Sequence, residues 1–348
     1  MTSEGWLPRA LNGGWTYRDR IESRSGGMAV SAFYAGRYRH SGPEQWQWRL
    51  AAGEIERNGR PLPADEPLVA GDRLAWHRPP WWEEAVPARW AVVHDDGDLL
   101  VLDKPSGLPV LPAGGWLEHT VLRLLERRHQ GDPAGLPRPV HRLGRFTSGL
   151  LVCARRPATR AWLSRQLRES TGGGGTADPG AVEAGPGAGE QTCSAAAQGC
   201  RKLYRALLVP GPLPLAVGES LVITTPIGRR DHPQLGQIWC AAAGSRAGDL
   251  AALSTLTLLE RQAEADLVQV AIASGRPHQI RIHCAAIGAP LLGDPLYRPG
   301  GLAAADARPG EGGYRLQAWR LELECPGGER LVLEAPWGDL CTGGTFDL

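Results

Sequence analysis

The chain has 348 residues, of which 42% are hydrophobic and 22% charged, and a formal net charge of +1. This length is enough for two domains and a sizeable core. No apolar run approaches the ~18 residues of a membrane span, and the N-terminus lacks the pattern of a secretory signal. The seven cysteines include no Cys-x-x-Cys pair, which indicates neither a disulfide framework nor a zinc site. We expect a cytoplasmic, monomeric protein with no membrane partner.

The first part of the chain is rich in tryptophan. Residues 1–85 hold seven of the 13 tryptophans, and Asn58-Gly59 and Gly71-Asp72 read as turns between short strands. We predict a small N-terminal domain over 1–85, in which arginines between the aromatic residues could contact RNA. The alternative, which we favour for most of the tryptophans, is that they form the core of this domain. Pro79, Pro80 and Pro87 indicate a linker.

The second part predicts a mixture of strands and helices over 88–345. Eight strands and three helices follow from the apolar patterns, the Thr120 cap, Pro157 and Gly288. No regular alternation of strand and helix appears, so the predicted fold class is α+β, with a mixed, mostly antiparallel central sheet flanked by helices. Residues 171–200 are rich in Gly, Ala and Ser and nearly free of large apolar side chains. We predict a disordered insertion there.

Arginine is concentrated in one stretch of the chain. Eleven arginines and Lys104 lie between residues 104 and 168, against Glu118, Glu126 and Asp132. Such an excess suits a polyanion such as RNA, although a solvated arginine-rich surface is the alternative. Lys104 and Lys202 are the only lysines, which suggests that these two positions require a compact ammonium group.

Four segments carry the functional signal. They are Leu99–Val110 (LLVLDKPSGLPV), His141–Val152 (HRLGRFTSGLLV), Lys202–Ala206 (KLYRA), and Ser274–His283 (SGRPHQIRIH) continued by Gly288–Tyr297 (GAPLLGDPLY). Together, in this order and spacing, they resemble the RluA-type family of RNA pseudouridine synthases over roughly 88–340. Members of that family often carry a small RNA-binding module where residues 1–85 lie.

The resemblance implies a pseudouridine-synthase-like fold and a cofactor-free isomerase. Such an enzyme breaks the N1–C1′ bond of uridine, turns the base, and rejoins it through C5. The base must be extruded from any stack and held in a pocket. The implied partner is a structured ribosomal or transfer RNA.

The resemblance also implies roles for individual residues. Tyr204 would stack on the extruded uracil, unless it is an ordinary core tyrosine. Arg281 would pair with the catalytic aspartate, unless it is a surface helical arginine. His141 would contact RNA or shape the active-site loop, unless it is a hydrogen-bonded structural histidine. Further RNA contacts are expected from a group of polar residues: Lys104, Arg142, Arg145, Lys202, Arg276, His278 and Gln279.

The chain departs from the family at Gly144, where His-Arg-Leu-Asp is the usual pattern. The missing aspartate is the residue that attacks C1′ or removes the C2′ proton, and a glycine can do neither. Asp103 and Asp294 occupy positions that have structural roles in the family. Two readings follow: either a carboxylate from elsewhere in the pocket replaces the aspartate, or the chain is a catalytically degenerate RNA-binding protein.

A metal centre is not expected. His278, His283 and Cys284 are separated by five and six residues, which does not match the usual i, i+4 spacing of ligands on a helix, and no carboxylate accompanies them. We therefore predict neither a metal nor a cofactor, and a metal-dependent nuclease is disfavoured. The leading hypothesis is an isomerase of uridine in structured RNA.

Overall fold

The computed structural model describes residues 5–169, 200–211, 213–242, 244, 246–308, 310–325, 327–337 and 340. Two compact units are present. The smaller comprises Met1–Val86, Pro112–His119 and Arg230–Ile238, and the larger comprises Pro87–Leu111, Thr120–Arg229 and Trp239–Leu348. The limits 1–85 and 88–345 remain predictions, and the insertion at 171–200 lies outside the described residues apart from Cys200.

The smaller unit contains two helices and several short strands. The helices are α1 (Val30–Arg37) and α2 (Pro43–Ala51). The strands are β1 (Trp6–Leu7), β2 (Ala10–Leu11), β3 (Trp15–Arg20), β4 (Ile55–Arg57), β5 (Arg60–Pro61), β6 (Arg73–Arg78) and β7 (Trp82–Glu83), followed by β8 (Val86–Pro87). Strands β3, β6, β4 and β5 form an antiparallel sheet in that order.

The tryptophans of the smaller unit do not mostly lie in its core. Trp46 and Trp76 are buried with Tyr34, Ile55 and Leu74, whereas Trp6, Trp15, Trp48 and Trp82 are exposed. The favoured expectation was therefore wrong for these four residues. The sequence alone did not separate them because a single tryptophan fits either environment.

The larger unit is built on a ten-stranded mixed sheet. Its strands are β9 (Ala91–Asp95), β10 (Leu99–Lys104), β11 (Arg138–Pro139), β12 (Thr147–Ala154), β13 (Arg201–Leu208), β14 (Ser220–Ile223), β17 (Ser254–Arg261), β18 (Asp266–Ile272), β21 (Leu316–Glu324) and β22 (Arg330–Glu334). The short strands β19 (Tyr297–Arg298) and β20 (Leu302–Ala303) form a hairpin outside it. A second hairpin is formed by β15 (Ile227–His232) and β16 (Gly236–Ala241), of which residues Arg230–Ile238 belong to the smaller unit. The helices are α3 (Val121–Arg128), α4 (Pro157–Glu169) and α5 (Gln279–Ala286).

The sheet order is β14-β17-β18-β13-β21-β12-β10-β9. In addition, β11 pairs with β12 and β22 pairs with β21. Only the β12–β21 pair is parallel among these described strands. The predicted α+β class with a mostly antiparallel sheet is therefore confirmed. Two apolar clusters form the core on the sheet, one around Leu256, Val268 and Ile280 and the other around Val101, Val152 and Leu163.

One glycine fixes how the active-site loop enters the sheet. Gly149 lies opposite Ala318 in the parallel pair and has a φ of 96°. A Cβ at this position would lie 2.2 Å from the Ala318 carbonyl oxygen, so no larger residue fits. The loop preceding β12, residues 141–146, therefore lies beside the beginning of β21, because Thr147 pairs with Leu316.

Candidate active site

A cleft of about 600 Å³ opens in the larger unit. Its walls come from the loop before β12, from α4, from β13, and from the segment that leads into α5. The cleft brings together most of the residues that the sequence identified: His141, Arg142, Gly144, Lys202, Tyr204, Arg276, His278, Gln279 and Arg281. Its volume falls within the range of pockets that hold small ligands, ~300–1,000 Å³.

Tyr204 lies on β13, facing the cleft. Its ring is partly buried and packs against the apolar cluster that contains Leu256 and Ile280. Burial raises the pKa of Tyr204, so its phenol stays protonated at neutral pH. No hydrogen bond from its hydroxyl reaches another residue within the part of the chain that the structure describes. The ring has the placement that a stacking partner for a base requires.

Arg281 is buried, with only 4% of its side chain exposed, on the first turn of α5. Its Nε and Nη2 donate to Asp294 Oδ2 and Oδ1 at 2.7 and 2.6 Å. Burial opposes the charge, but the hydrogen bonds to Asp294 together with the charge interactions with Asp294, Tyr314 and Tyr297 outweigh it, and the pKa of Arg281 is raised. The alternative of a surface arginine does not hold here.

Asp294 pairs with Arg281, as an aspartate at position 144 was expected to do. Its side chain is 0% exposed, and besides Arg281 it accepts the backbone N–H of Leu296 at 2.9 Å. It is not among the residues that line the cleft. A carboxylate enclosed in this way balances the charge of Arg281 and is not positioned to attack a ribose.

The space beside Gly144 is filled by Tyr314. A Cβ built on Gly144 would lie 2.3 Å from the Tyr314 hydroxyl and 3.2 Å from Thr147 Oγ1. The Tyr314 hydroxyl is 3.3 Å from Thr147 Oγ1, and the Arg281 guanidinium carbon is 4.2 Å from the centre of the tyrosine ring. Tyr314 itself lines the cleft. A phenol hydroxyl therefore stands where the side chain of residue 144 would begin.

Both histidines of the cleft are neutral. His141 Nε2 accepts the backbone N–H of Val152 at 3.0 Å, and burial lowers its pKa to about 3. Burial lowers the pKa of His278 to about 4, and its Nδ1 is 2.7 Å from the Tyr297 hydroxyl. Because that hydroxyl donates to the Trp239 carbonyl at 2.8 Å, His278 Nδ1 carries the proton. His141 thus has the structural hydrogen bond of the alternative reading while still lining the cleft.

The charges of the cleft have one sign. Arg142 is exposed, Lys202 donates to the Leu167 carbonyl at 2.8 Å, and Arg276 donates to the Ala251 carbonyl at 2.9 Å. With Arg281 these residues place four cations around the cavity. None of the described residues that line it is an aspartate or a glutamate. The cleft is suited to a phosphate backbone and to an anion within it.

Two predicted RNA contacts lie outside the cleft, and a third is engaged inside the protein. Lys104 is 1% exposed, and its Nζ donates to the carbonyls of Pro105, Leu108 and Arg145. Arg145 donates to the Gly107 carbonyl at 3.0 Å. Gln279 is 3% exposed, and its amide is satisfied by a set of neighbours: Leu253, Ser254, Ser274 and Arg276. Lys104, Arg145 and Gln279 therefore support the walls of the site through hydrogen bonds inside the protein.

The arginine-rich stretch is partly neutralised by acids that lie outside it in sequence. Arg155 pairs with Asp95 at 2.8 Å and Arg156 with Asp98 at 2.7 Å. The excess of arginine over acidic residues between positions 104 and 168 therefore overstates the positive charge available to RNA. Antiparallel pairing of β10 with both β9 and β12 brings these acids and arginines together.

Among the described residues, no group of three or more His, Cys, Asp or Glu side chains is arranged to hold a metal. His283 uses Nδ1 and Nε2 for contacts of 2.9 Å with Ser254 Oγ and the Thr225 carbonyl. Burial raises the pKa of the Cys284 thiol to about 12. In the same part of the chain, no helix is long and apolar enough to cross a membrane.

The sequence did not identify Tyr314 as a site residue. Tyr314 follows three glycines and an acid, in a segment without a periodic pattern, two residues before β21 begins. The only available signal was the lost side-chain volume at Gly144, which a second residue must fill or leave open. A single sequence does not show which residue that is.

Comparison with known proteins identifies the class. A family model described as RNA pseudouridylate synthase matches residues 98–172. An uncharacterized RNA pseudouridine synthase of Synechocystis sp. is 40% identical, covering 83% of this chain and 87% of that protein. RNA pseudouridine synthase 5 of Arabidopsis thaliana is 35% identical, covering 90% of this chain and 89% of that protein.

A third relative carries a more specific description. Ribosomal large subunit pseudouridine synthase D of Nitrosomonas europaea is 30% identical, covering 74% of this chain and 64% of that protein. These matches, with the fold and the cleft, define an RNA-modifying isomerase. The chain belongs to the RNA pseudouridine synthase family, in its RluA-type branch.

Proposed function

We propose that the cleft binds one extruded uridine of a structured ribosomal or transfer RNA and isomerises it to pseudouridine in the cytoplasm. The observation that carries this proposal is the placement of Tyr204, Arg281 and Gly144 on the walls of one basic cavity. A base lying on Tyr204 would have its ribose near residue 144 and its phosphates near the exposed Arg142.

Ribosomal RNA is the favoured substrate of the two. The Nitrosomonas europaea relative is named as a ribosomal large subunit pseudouridine synthase, which supports ribosomal RNA. We also propose that the smaller unit binds RNA. A second cavity, of about 190 Å³, is lined there by Trp15, Tyr17, Trp81 and Trp116. The guanidinium carbon of Arg78 lies 3.5 Å from the ring centre of Trp81.

The test uses RNA that lacks the modification. Total RNA from a strain without this gene is incubated with the purified protein, and pseudouridines are mapped. Appearance of a discrete site in ribosomal RNA is the expected result. A site in transfer RNA alone would contradict the favoured substrate, and no new site in any RNA would contradict the proposed isomerisation.

A second candidate function is binding of RNA without catalysis. The observation that favours it is the absence of any carboxylate among the described residues lining the cleft. Under this alternative the protein binds ribosomal RNA with an affinity that depends on Arg142 and Lys202, and the mapped pseudouridines do not change. The mapping experiment above therefore separates the two functions.

A further inference from the structure

The cleft is arranged to stabilise an anion. Nucleophilic or base catalysis at C1′ or C2′ needs a negatively charged or neutral acceptor group. Apart from the neutral histidines His141 and His278, of which His141 already accepts the backbone N–H of Val152, the cleft presents four cations, together with the phenols of Tyr204 and Tyr314 and the hydroxyl of Thr147. Asp294, which holds Arg281, is fully buried beneath it. Among the described residues, donors of hydrogen bonds therefore take the place of the missing acid.

From this arrangement, and resting on the proposed isomerisation, we propose that Tyr314 is a catalytic residue of this chain. Its hydroxyl donates a hydrogen bond to the O2 carbonyl of the bound uracil and stabilises the base as it departs as an anion. The role of the aspartate, which assists from the ribose side, is thus replaced by assistance to the leaving group.

The geometry supports a donor at this point. The Tyr314 hydroxyl lies 2.3 Å from where the Cβ of residue 144 would stand, so it occupies the start of the side chain that acts on the ribose in the family. Uracil O2 is bonded to the carbon next to N1 and therefore lies close to C1′. Thr147 Oγ1, at 3.3 Å, can donate to the Tyr314 oxygen and leave the phenol proton free for the base.

The protonation state is consistent with that role. Tyr314 is 4% exposed, and burial raises its pKa above the usual value, against the opposing effect of the Arg281 charge. The phenol is therefore protonated at neutral pH, which suits a donor and excludes a phenolate base. Preorganised donors aimed at developing negative charge are worth about 100-fold to 1,000-fold in rate.

The reaction balances without a further reagent. The N1–C1′ bond breaks and its electron pair goes to uracil, while the ribose ring oxygen shares electron density with C1′. Hydrogen bonds from Tyr314 and the positive charge of Arg281 stabilise the uracil anion. The base turns, C5 attacks C1′ to form the carbon–carbon bond, the C5 proton passes to solvent, and solvent returns one proton to N1.

The experiment compares Tyr314→Phe with the unmodified chain and with Tyr34→Phe. Tyr34 is a buried tyrosine of the smaller unit whose hydroxyl has no hydrogen-bond partner among the described residues, which makes it a matched control. The substrate is total RNA from a strain lacking this gene, with tritium at uracil C5, because isomerisation releases that atom. Binding of the same RNA is measured in parallel.

Tyr314→Phe is expected to slow tritium release by about 100-fold to 1,000-fold, with RNA affinity changed by less than about threefold and Tyr34→Phe unaffected. Gly144→Ala provides a second variant, because its Cβ would displace the same hydroxyl from the other side of the contact. It is expected to slow the reaction by at least about tenfold, at unchanged affinity.

A leaving-group test separates a donor from a structural role. In RNA that carries 5-fluorouridine, the fluorine already stabilises the departing base, so the defect of Tyr314→Phe in consuming the nucleotide should shrink by about tenfold or more. Full activity of Tyr314→Phe, or an equal defect on both substrates, would overturn the role of Tyr314 alone. No tritium release by the unmodified chain would overturn the proposed isomerisation and, with it, this role.

Discussion

The hydroxyl of Tyr314 and the backbone of Gly144 exclude any side chain between them. A Cβ on residue 144 would lie 2.3 Å from that oxygen, which is closer than unbonded atoms approach. Gly144 does not have a positive φ, so its backbone would accept other residues. Its identity is therefore set by Tyr314, and the two residues form a matched pair.

The contact between Tyr314 and Gly144 predicts how the free energy of unfolding changes when an aspartate is placed at position 144. Gly144→Asp alone should destabilise the protein by about 1–3 kcal/mol, because the new Cβ overpacks the site. In Gly144→Asp with Tyr314→Phe, the hydroxyl contact is gone, and the nearest atoms to the Cβ would be Thr147 Oγ1 at 3.2 Å and the ring Cζ of residue 314 at 3.6 Å. We expect the double variant to recover at least about 1 kcal/mol of that loss.

Urea unfolding of the four members of this cycle gives the coupling energy. Gly13→Asp is the control, since no atom lies within 4 Å of its added Cβ, and it should change the unfolding free energy by less than about 0.5 kcal/mol. Additive losses in the double variant would mean that Tyr314 does not set the identity of residue 144.

Asp294→Asn tests the buried ion pair. Both carboxylate oxygens of Asp294 accept from Arg281, and the pair is almost fully enclosed. The amide removes the negative charge and leaves the guanidinium buried without compensation, which should cost about 3–5 kcal/mol of unfolding free energy.

The matched control for that pair is Glu334→Gln. Glu334 accepts from Arg320 at 2.6 Å, but half of its side chain is exposed to solvent, so its loss should cost less than about 1 kcal/mol. Comparable losses in the two variants, measured by urea unfolding, would show that burial of Asp294 adds nothing to the strength of its pair.

The sequence predicted the elements of the larger unit because local signals coincide there with the sheet. Thr120 caps α3 through its side chain, Pro157 begins α4, and Gly288 follows α5. The short strands β14, β15 and β16 were not predicted. Each is only four to six residues long, and none shows a strict alternation of polar and apolar residues, so such a short window does not distinguish them from loops.

The sequence predicted which segments form the site, but not the contacts that their side chains make. Which residues surround the cleft followed from the four segments, and the structure brings these segments together at one cavity. What each side chain contacts did not follow: the ammonium of Lys104 faces carbonyls, and Arg281 faces Asp294. Those contacts depend on the pairing of β10 with β12 and on how the segment after α5 folds back onto that helix, which spacing along the chain does not encode.

Lys104→Met should destabilise the protein without acting through RNA. The ammonium donates to three carbonyls at 2.7, 2.9 and 3.0 Å, and a methionine leaves all three without that donor. We expect a loss of about 3 kcal/mol or more in urea unfolding. Lys202→Met, which loses one bond to the Leu167 carbonyl, should cost about 1 kcal/mol. A fall in RNA affinity with stability unchanged would place Lys104 in the RNA contact instead.

Because His141 and His278 are neutral in the folded protein, we expect its free energy of unfolding to fall in mild acid. Their pKa values are lowered to about 3 and about 4 by burial, whereas in the unfolded chain each lies near 6.5. The unfolded state therefore binds more protons below pH 6.5, and stability falls as the pH decreases from 6.5 toward 4. Between pH 7 and pH 5 the loss should be on the order of a few kcal/mol for the two residues together.

The variant His141→Gln with His278→Gln removes both groups and retains polar side chains. Its unfolding free energy should change less between pH 7 and pH 5 than that of the unmodified chain. Restricting the comparison to this interval avoids acids such as Asp98, whose pKa is lowered to about 2. Parallel pH profiles for the two proteins would show that neither histidine is held neutral by burial.

Trp15→Ala tests RNA binding by the smaller unit. Trp15 is 46% exposed and lines the aromatic cavity, which has the size and the flat apolar walls that a stacked base requires. Removing one stacking surface should weaken RNA binding by about 1–3 kcal/mol, or roughly fivefold to 150-fold in Kd. Filter binding with total RNA measures this change.

Trp48→Ala is the control for that variant. Trp48 is 67% exposed on α2 and does not line the cavity, so its removal takes away an equal aromatic surface at a different place. Its Kd should stay within about twofold, because isolated exposed aromatic groups contribute little without a second wall. Equal losses for Trp15→Ala and Trp48→Ala would indicate a diffuse aromatic surface and would exclude a discrete base-binding cavity in the smaller unit.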